Sequence, residues 1–137
     1  MGSHSRGAIL PRSETPLQPQ RGIATKNGLP IAVQVSFTDG PYPNKMLSNG
    51  NIEHIGEGRS GLQQPKRGNG AMLAAARKGT RVPVYEKVGS DQYRYLGDYT
   101  VESHRMEQLA PRIDPDWVGY VFTLRPIGET FRVNAAT

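Results

Sequence analysis

The sequence of 137 residues contains no cysteine. That absence excludes disulfide bonds, thiolate metal ligands and cysteine nucleophiles. No apolar run approaches the roughly 20 residues that a helix needs to cross a bilayer, which argues against an integral membrane protein. The opening stretch, MGSHSRG, lacks the apolar core of a signal peptide and looks like an expression scar, so we expect a cytoplasmic protein.

Apolar residues are also scarce. Only 36% of the sequence is hydrophobic, and it contains 16 glycines and 11 prolines. The length suits one small domain, and the composition indicates that part of the chain is tail or long loop. Residues 1–22 are rich in proline and glutamine and have little apolar periodicity, which predicts a tag and flexible tail. We predict a folded domain over residues 23–127 and a C-terminal tail over residues 128–137.

The formal net charge is +5, and basic residues are concentrated in one stretch. From Arg59 to Arg81 the sequence has six basic residues and no acidic one. Such a stretch suits contacts with phosphates, because each neutralised phosphate releases condensed counterions. An ordinary solvated surface is an equally good interpretation of the charge alone.

Several short runs alternate apolar and polar residues, as β-strands do. They cover residues 31–37, 51–55, 81–87, 93–103 (with a break near Gly97) and 117–124. The glycine-rich stretch 56–70 predicts a long loop. Residues 71–78 are strong helix formers, with Asn69 as a possible N-cap and Gly79 as the stop. The expected fold class is α+β, a small curved, barrel-like sheet of about six strands with one main helix.

No catalytic pattern is complete in this sequence. His54 and His104 lie fifty residues apart without a nearby carboxylate pattern, which is a weak metal signal. Gly56-x-Gly58 lacks the following helix of a dinucleotide fold, and no P-loop or nucleophile elbow occurs. We therefore expect a binding domain rather than an enzyme, with no cofactor and no bound metal.

Five segments together resemble a known family. They are DGPYPNKM (39–46), GNIEHIGEGRSG (50–61), RGNGAMLAAARKGTRVPVYEK (67–87), YRYLGDYTVES (93–103) and GYVFTLRP (119–126). In this order they resemble the SET-and-RING-associated (SRA) domain, a reader of modified cytosine in DNA. The bacterial versions, fused to HNH and other nucleases in modification-dependent restriction enzymes, look most similar.

The resemblance implies a base-flipping function. SRA domains turn a modified cytosine, such as 5-methylcytosine or 5-hydroxymethylcytosine, out of the duplex into a pocket. The pocket residues that it implies here are Tyr42, Asn44, His54, Ile55 and Gly56. Tyr42 matches a ring that stacks on the base, whereas His54 stands where the family has a second aromatic ring, and its titration could make binding pH-dependent. Asn44 stands near the place of an acidic residue that accepts from the cytosine amino group.

The resemblance also implies how the domain would grip DNA. Residues 59–68 match a loop, here called the finger loop, that enters the groove and fills the gap left by the flipped base. Gln63, Gln64, Lys66 and Arg67 are its long side chains. Phosphate contacts are assigned to Arg59, Arg77, Lys78 and Arg81, besides Lys66 and Arg67. The glycine amides of residues 56–58 could reach a base edge, because glycine permits close approach.

The expected partner is double-stranded DNA with a modified base, with no membrane partner and with a nuclease domain in the parent chain. A PUA-like reader of modified or structured RNA is the alternative, since such barrels share strand order and a basic face. A stand-alone nuclease with an unrecognised site is a third hypothesis. Trp117 begins an apolar strand, so we predict that it packs on the sheet rather than forming an aromatic cage.

Overall fold

The computed structural model describes residues 5–19, 21–37 and 44–128. These residues form eight strands, one α-helix and a 3₁₀ turn at Arg12–Glu14. The strands are β1 (Ile9–Leu10), β2 (Ile23–Lys26), β3 (Leu29–Val35), β4 (Lys45–Met46), β5 (Ile52–Ile55), β6 (Val82–Gly89), β7 (Gln92–Ala110) and β8 (Asp114–Pro126), and the helix is α1 (Arg67–Lys78).

The strands form one curled sheet in the order β2-β3-β6-β7-β8-β5-β4, and β1 pairs with β7. Strands β3 and β6 run parallel, because the chain between them makes a crossover that includes α1. The other pairs are antiparallel, and bulges in β6, β7 and β8 add bend and twist. The prediction of a small curved sheet with one main helix is confirmed.

Helix α1 packs on the sheet through a stripe of small and flexible apolar residues. Met72 and Ala75 belong to the main core, which also contains Val33, Leu96 and Phe122, and Ala71 beside them is buried as well. Gly79 ends the helix in the left-handed conformation with φ 68°, and its N–H donates to the Ala75 carbonyl at 2.8 Å. Within the described part of the chain, no helix is long and apolar enough to cross a membrane.

The helix begins earlier than predicted. It starts at Arg67 and its N-cap residue is Lys66, which makes no side-chain capping bond. Asn69 lies inside the first turn, so the prediction that it caps the helix is wrong. Its side chain instead bonds to the loop that precedes the helix, as described below.

The N-terminal segment is ordered where the sequence predicted a flexible tail. Strand β1 pairs with β7, and Leu17 is 4% exposed in a second apolar cluster with Tyr85, Tyr93 and Tyr95. The tail prediction is therefore wrong for these residues, because apolar contacts with distant strands order a segment that has no periodicity of its own. Of the predicted C-terminal tail, 128–137, all but Gly128 lies outside the described residues.

Candidate nucleic-acid interface

An open cleft of about 1270 Å³ lies where β3 and β5 end and α1 begins. It is lined by Arg21, Gly22, Gln34, Ser36, Asn44, residues 54–60 and 62–64, Lys66, Arg67, Asn69, Lys87 and Tyr93. The structure therefore brings four predicted pocket residues, Asn44, His54, Ile55 and Gly56, to one place together with the finger loop. Tyr42, the fifth, lies outside the described residues.

Positive charge predominates around the cleft. Five basic residues line it, Arg21, Arg59, Lys66, Arg67 and Lys87, against the single described carboxylate of Glu57. Arg21 pairs with Glu57 at 3.2 Å, which neutralises that carboxylate. The remaining cations give the cleft a surface that attracts a polyanion.

His54 is a neutral, buried side chain on β5. It is 3% exposed, and burial lowers the pKa of its ring from 6.5 to about 4. Its Nε2 lies 3.2 Å from the carbonyl oxygen of Gln34, which can only accept, so Nε2 carries the proton. The other ring nitrogen, Nδ1, is then an acceptor, and it has no hydrogen-bond partner within the described chain.

Asn44 lies just before β4, and its unpaired side-chain atom is a donor, whereas that of His54 is an acceptor. It is 8% exposed, and its Oδ1 accepts from the backbone N–H of Ser36 at 3.0 Å. Because a backbone N–H must donate to an oxygen, this bond identifies the amide oxygen and leaves Nδ2, a donor, as the other amide atom. Nδ2 is buried and unpartnered among the described residues. Asn44 stands near the place of the family's acceptor, but its unpaired side-chain atom is a donor.

Gly56 follows β5, and its backbone N–H is already hydrogen-bonded within the protein. Its N–H donates to the Tyr120 carbonyl oxygen at 2.9 Å. The next N–H, of Glu57, donates to Asn69 Oδ1 at 2.7 Å. The expectation that these two amides reach a base edge is therefore wrong.

Gln63 was expected to enter the DNA groove, and the structure places it inside the protein instead. It is 3% exposed. Its Nε2 donates to the carbonyl oxygens of Gly56 at 2.8 Å and Gly58 at 3.0 Å, and its Oε1 accepts from the Tyr120 N–H at 2.9 Å. Both N–H donors of its amide are used and its oxygen accepts a bond, all within the protein, so this prediction is wrong. Gln63 holds the loop between β5 and the finger in place.

Two further side chains fix the same loop. Asn69 Nδ2 donates to the carbonyl oxygens of Glu57 at 2.9 Å and Gln64 at 3.0 Å. Trp117, which is 7% exposed, donates from Nε1 to the Gly58 carbonyl oxygen at 2.8 Å. Trp117 packs in the sheet as predicted, and its hydrogen bond was not foreseen. These bonds make the loop at the cleft a rigid platform.

The rest of the finger loop does reach solvent. Gln64, Lys66 and Arg67 are exposed and line the cleft, and their contacts with DNA stay a prediction. Leu62 is 60% exposed beside them and was missed. The available signal was a lone large apolar residue within a polar, glycine-rich loop.

The predicted phosphate contacts separate into two groups. Arg59 lines the cleft, whereas Arg77, Lys78 and Arg81 do not, because they lie at or beyond the other end of α1. That helix has 12 residues and is about 18 Å long. Arg81 also contacts Asp98 at 3.4 Å. Arg21 and Lys87 line the cleft and were missed, since both lie outside the basic stretch from Arg59 to Arg81.

The described residues hold no cluster of three His, Asp or Glu side chains that could bind a metal ion. His104 is exposed on β7, and its ring lies 6.2 Å from that of Phe122.

Comparison with known proteins gives a consistent result. The sequence matches the profile of the ScoMcrA-like SRA domain over residues 18–135. The SUVH5 SRA domain in complex with hemi-methylated CG DNA has a similar structure, with TM-score 0.67 and 21% identity over 95% of this chain and 99% of that one. The same domain bound to fully hydroxymethylated CG DNA gives TM-score 0.66 and 22% identity over 85% and 80%.

Arabidopsis thaliana SUVH6 in complex with SAM is also similar, with TM-score 0.63 and 22% identity over 85% of this chain but only 23% of that larger one. At these identities the similarity establishes a shared fold. Comparison with curated protein sequences found no match.

Proposed function

This chain belongs to the ScoMcrA-like SRA domain family, and we propose that it binds double-stranded DNA at a modified cytosine. The observation that carries the proposal is the cleft itself, which combines a basic rim with a buried polar floor at Asn44 and His54. The similar SUVH5 structures contain methylated and hydroxymethylated DNA, so 5-methylcytosine and 5-hydroxymethylcytosine are the modifications to test first.

The proposed mechanism is base flipping. Turning a nucleotide out of the stack costs a few kcal/mol, which new contacts in the pocket must offset. Asn44, His54 and Ile55 would surround the flipped base, and Gly56 supports the wall behind it. Tyr42 is proposed to stack on the base, which contributes about 1–3 kcal/mol for one aromatic ring.

Leu62 is the residue that we propose as the wedge. Proteins that unstack DNA often insert an apolar side chain between bases, and Leu62 is the large exposed apolar side chain of this loop. Gln64 beside it can bond to the base left without a partner. Lys66 and Arg67, with Arg59, would hold the flanking phosphates.

Reading DNA rather than cutting it is the proposed role of this chain. A nuclease domain in the parent protein would then be targeted by it, within a cytoplasmic restriction system. Cleavage of methylated DNA by the full parent protein, together with a lack of cleavage by this chain, would support that arrangement.

The decisive experiment is a fluorescence-anisotropy titration of the chain with matched duplexes. One position would hold cytosine, 5-methylcytosine or 5-hydroxymethylcytosine, and an RNA duplex of the same sequence would be included. We expect the methylated duplex to bind at least about fourfold more tightly than the plain one, because one buried methyl group contributes about 0.8 kcal/mol. Equal affinity for all the DNA duplexes would overturn the proposal, and tighter binding of RNA would favour a PUA-like RNA reader.

A further inference from the structure

Two buried polar atoms at the cleft lack hydrogen-bond partners in the described chain, and their chemistry is opposite. Asn44 Nδ2 is a donor, because Oδ1 of the same amide accepts from Ser36. His54 Nδ1 is an acceptor, because Nε2 of the same ring donates to Gln34. Both side chains are more than nine-tenths buried and both residues line the cleft.

Such atoms require an explanation, since nearly all buried polar groups in native proteins are hydrogen-bonded. The two residues are anchored to neighbouring backbone positions, Gln34 and Ser36, near the end of β3. Each anchor also fixes the orientation of its side chain. Two residues that line the cleft therefore each hold one fixed, unpaired polar atom, a donor and an acceptor, and this combination suits a ligand with the complementary pair.

The edge of a cytosine ring carries that pair, an exocyclic amino donor at N4 beside the acceptor N3. We propose that His54 Nδ1 accepts from the N4 amino group of the flipped base and that Asn44 Nδ2 donates to N3. This inference rests on the proposed function and deepens it. It assigns the reading of the amino group to a neutral imidazole and gives Asn44 the role of a donor.

The same pair discriminates against thymine in this register. Thymine has a carbonyl oxygen at position 4 and an N–H at position 3. The oxygen would face the acceptor His54 Nδ1, and the N–H would face the donor Asn44 Nδ2. Thymine is the product that deamination of 5-methylcytosine leaves in a G·T mismatch. A mismatched base is easier to flip, yet this pocket would reject it.

The test uses the whole chain at pH 8 and three duplexes with cytosine, 5-methylcytosine or thymine opposite the same guanine. Wild type is expected to bind 5-methylcytosine at least about tenfold more tightly than thymine, because a mismatch at a read position typically changes affinity by this order. Asn44→Asp keeps an oxygen for the Ser36 N–H and replaces the donor by an acceptor. It should reverse or abolish the preference for 5-methylcytosine over thymine.

Ser60→Asp is the matched control for added negative charge at the cleft, because Ser60 is exposed there and is assigned no contact with a base. It is expected to weaken both duplexes by the same factor and to leave their ratio unchanged. An unchanged ratio in Asn44→Asp, or unchanged or tighter binding of 5-methylcytosine, would overturn the donor role of Asn44. Circular dichroism checks that each variant is folded.

A second measurement needs no variant. A duplex with 5-methylpyrimidin-2-one, which lacks the amino group, should bind wild type about tenfold more weakly than 5-methylcytosine. His54→Gln, which removes Nδ1, should lose this difference. Equal binding of the two bases by wild type would overturn the role of His54. Equal binding of cytosine and 5-methylcytosine by wild type would instead reject the proposed function, so the two failures are distinct.

Discussion

The side-chain amide of Gln63 donates to the carbonyl oxygen of Gly56 at 2.8 Å across the base of the finger loop. This contact requires glycine, because a Cβ at position 56 would lie 2.6 Å from both Gln63 Oε1 and Asn69 Oδ1. Both oxygens are held by hydrogen bonds to backbone N–H groups, of Tyr120 and Glu57, so neither can move without losing a bond. The loop beside the proposed pocket thus depends on a glycine at position 56, where the side chains of Gln63 and Asn69 approach the backbone closely.

Gly56→Ala tests this dependence. We expect a loss of about 2 kcal/mol in the free energy of unfolding, the usual size for an overpacked buried site. Urea denaturation monitored by tryptophan fluorescence would measure it, since Trp117 lies beside the loop. Gly22→Ala is the control, because nothing lies within 4 Å of its Cβ position. Equal stability of wild type and Gly56→Ala would show that Gln63 and Asn69 can move aside at no cost, and would contradict the requirement for glycine.

Gln63→Ala should destabilise the fold as well. Two backbone groups, the Gly56 carbonyl and the Tyr120 N–H, would lose the bond from Gln63, and the Gly58 carbonyl would keep only its bond from Trp117. We expect a loss of about 2–4 kcal/mol, because buried groups left unpaired cost about 1–3 kcal/mol each and some regain water. Gln64→Ala, at an exposed neighbour, should change stability by less than about 0.5 kcal/mol. Similar stabilities of the two variants in urea melts would contradict this account.

The elements that could be predicted are those with a local signal. Alternating residues mark β3, β5, β6 and β8, and the alanine-rich stretch marks α1. The N-terminal segment could not be predicted, because a two-residue strand has no period. Leu17 is ordered by tyrosines on β6 and β7, and those contacts exist only in the folded chain.

The site residues also divide into those that the sequence could identify and those that it could not. Asn44, His54 and Gly56 were found through resemblance, because their order along the chain follows the family's motifs. The role of Gln63 could not be found, since glutamine is mostly exposed in proteins and its length suggested a reaching side chain. Its burial depends on polar backbone groups from separate segments, which only folding brings together.

Leu62→Ala should weaken DNA binding without changing stability. Leu62 is 60% exposed, so its truncation should alter the free energy of unfolding by less than about 0.5 kcal/mol. A wedge that buries between bases should lose about 1–2 kcal/mol of binding when truncated, which is about 5–30-fold in Kd. Ile113→Ala is the control, since Ile113 is 88% exposed in the turn between β7 and β8. The wedge is rejected if both variants bind a methylated duplex as tightly as wild type does.

Lys66→Ala should lower the salt dependence of binding. One lost phosphate contact reduces the slope of log K against log salt by about 0.9. The loss should be similar for methylated and unmethylated duplexes, because phosphates carry no sequence information. Lys78→Ala, at the other end of α1, should leave the slope unchanged. An equal decrease in both variants would mean that DNA extends along the whole helix, as the basic stretch first suggested.

His54 should make stability, rather than binding near neutrality, depend on pH. Its folded pKa is about 4 against an ordinary 6.5, so between these values the unfolded chain holds a proton that the folded chain lacks. Stability therefore falls as the pH falls below 6.5, by up to about 3 kcal/mol at pH 4. This low pKa argues against a neutral-range binding switch at His54, because an imidazole with such a pKa is uncharged near neutrality. Urea melts from pH 7.5 to 4.5 should show a smaller decline in His54→Gln than in wild type, and parallel declines would contradict the low pKa.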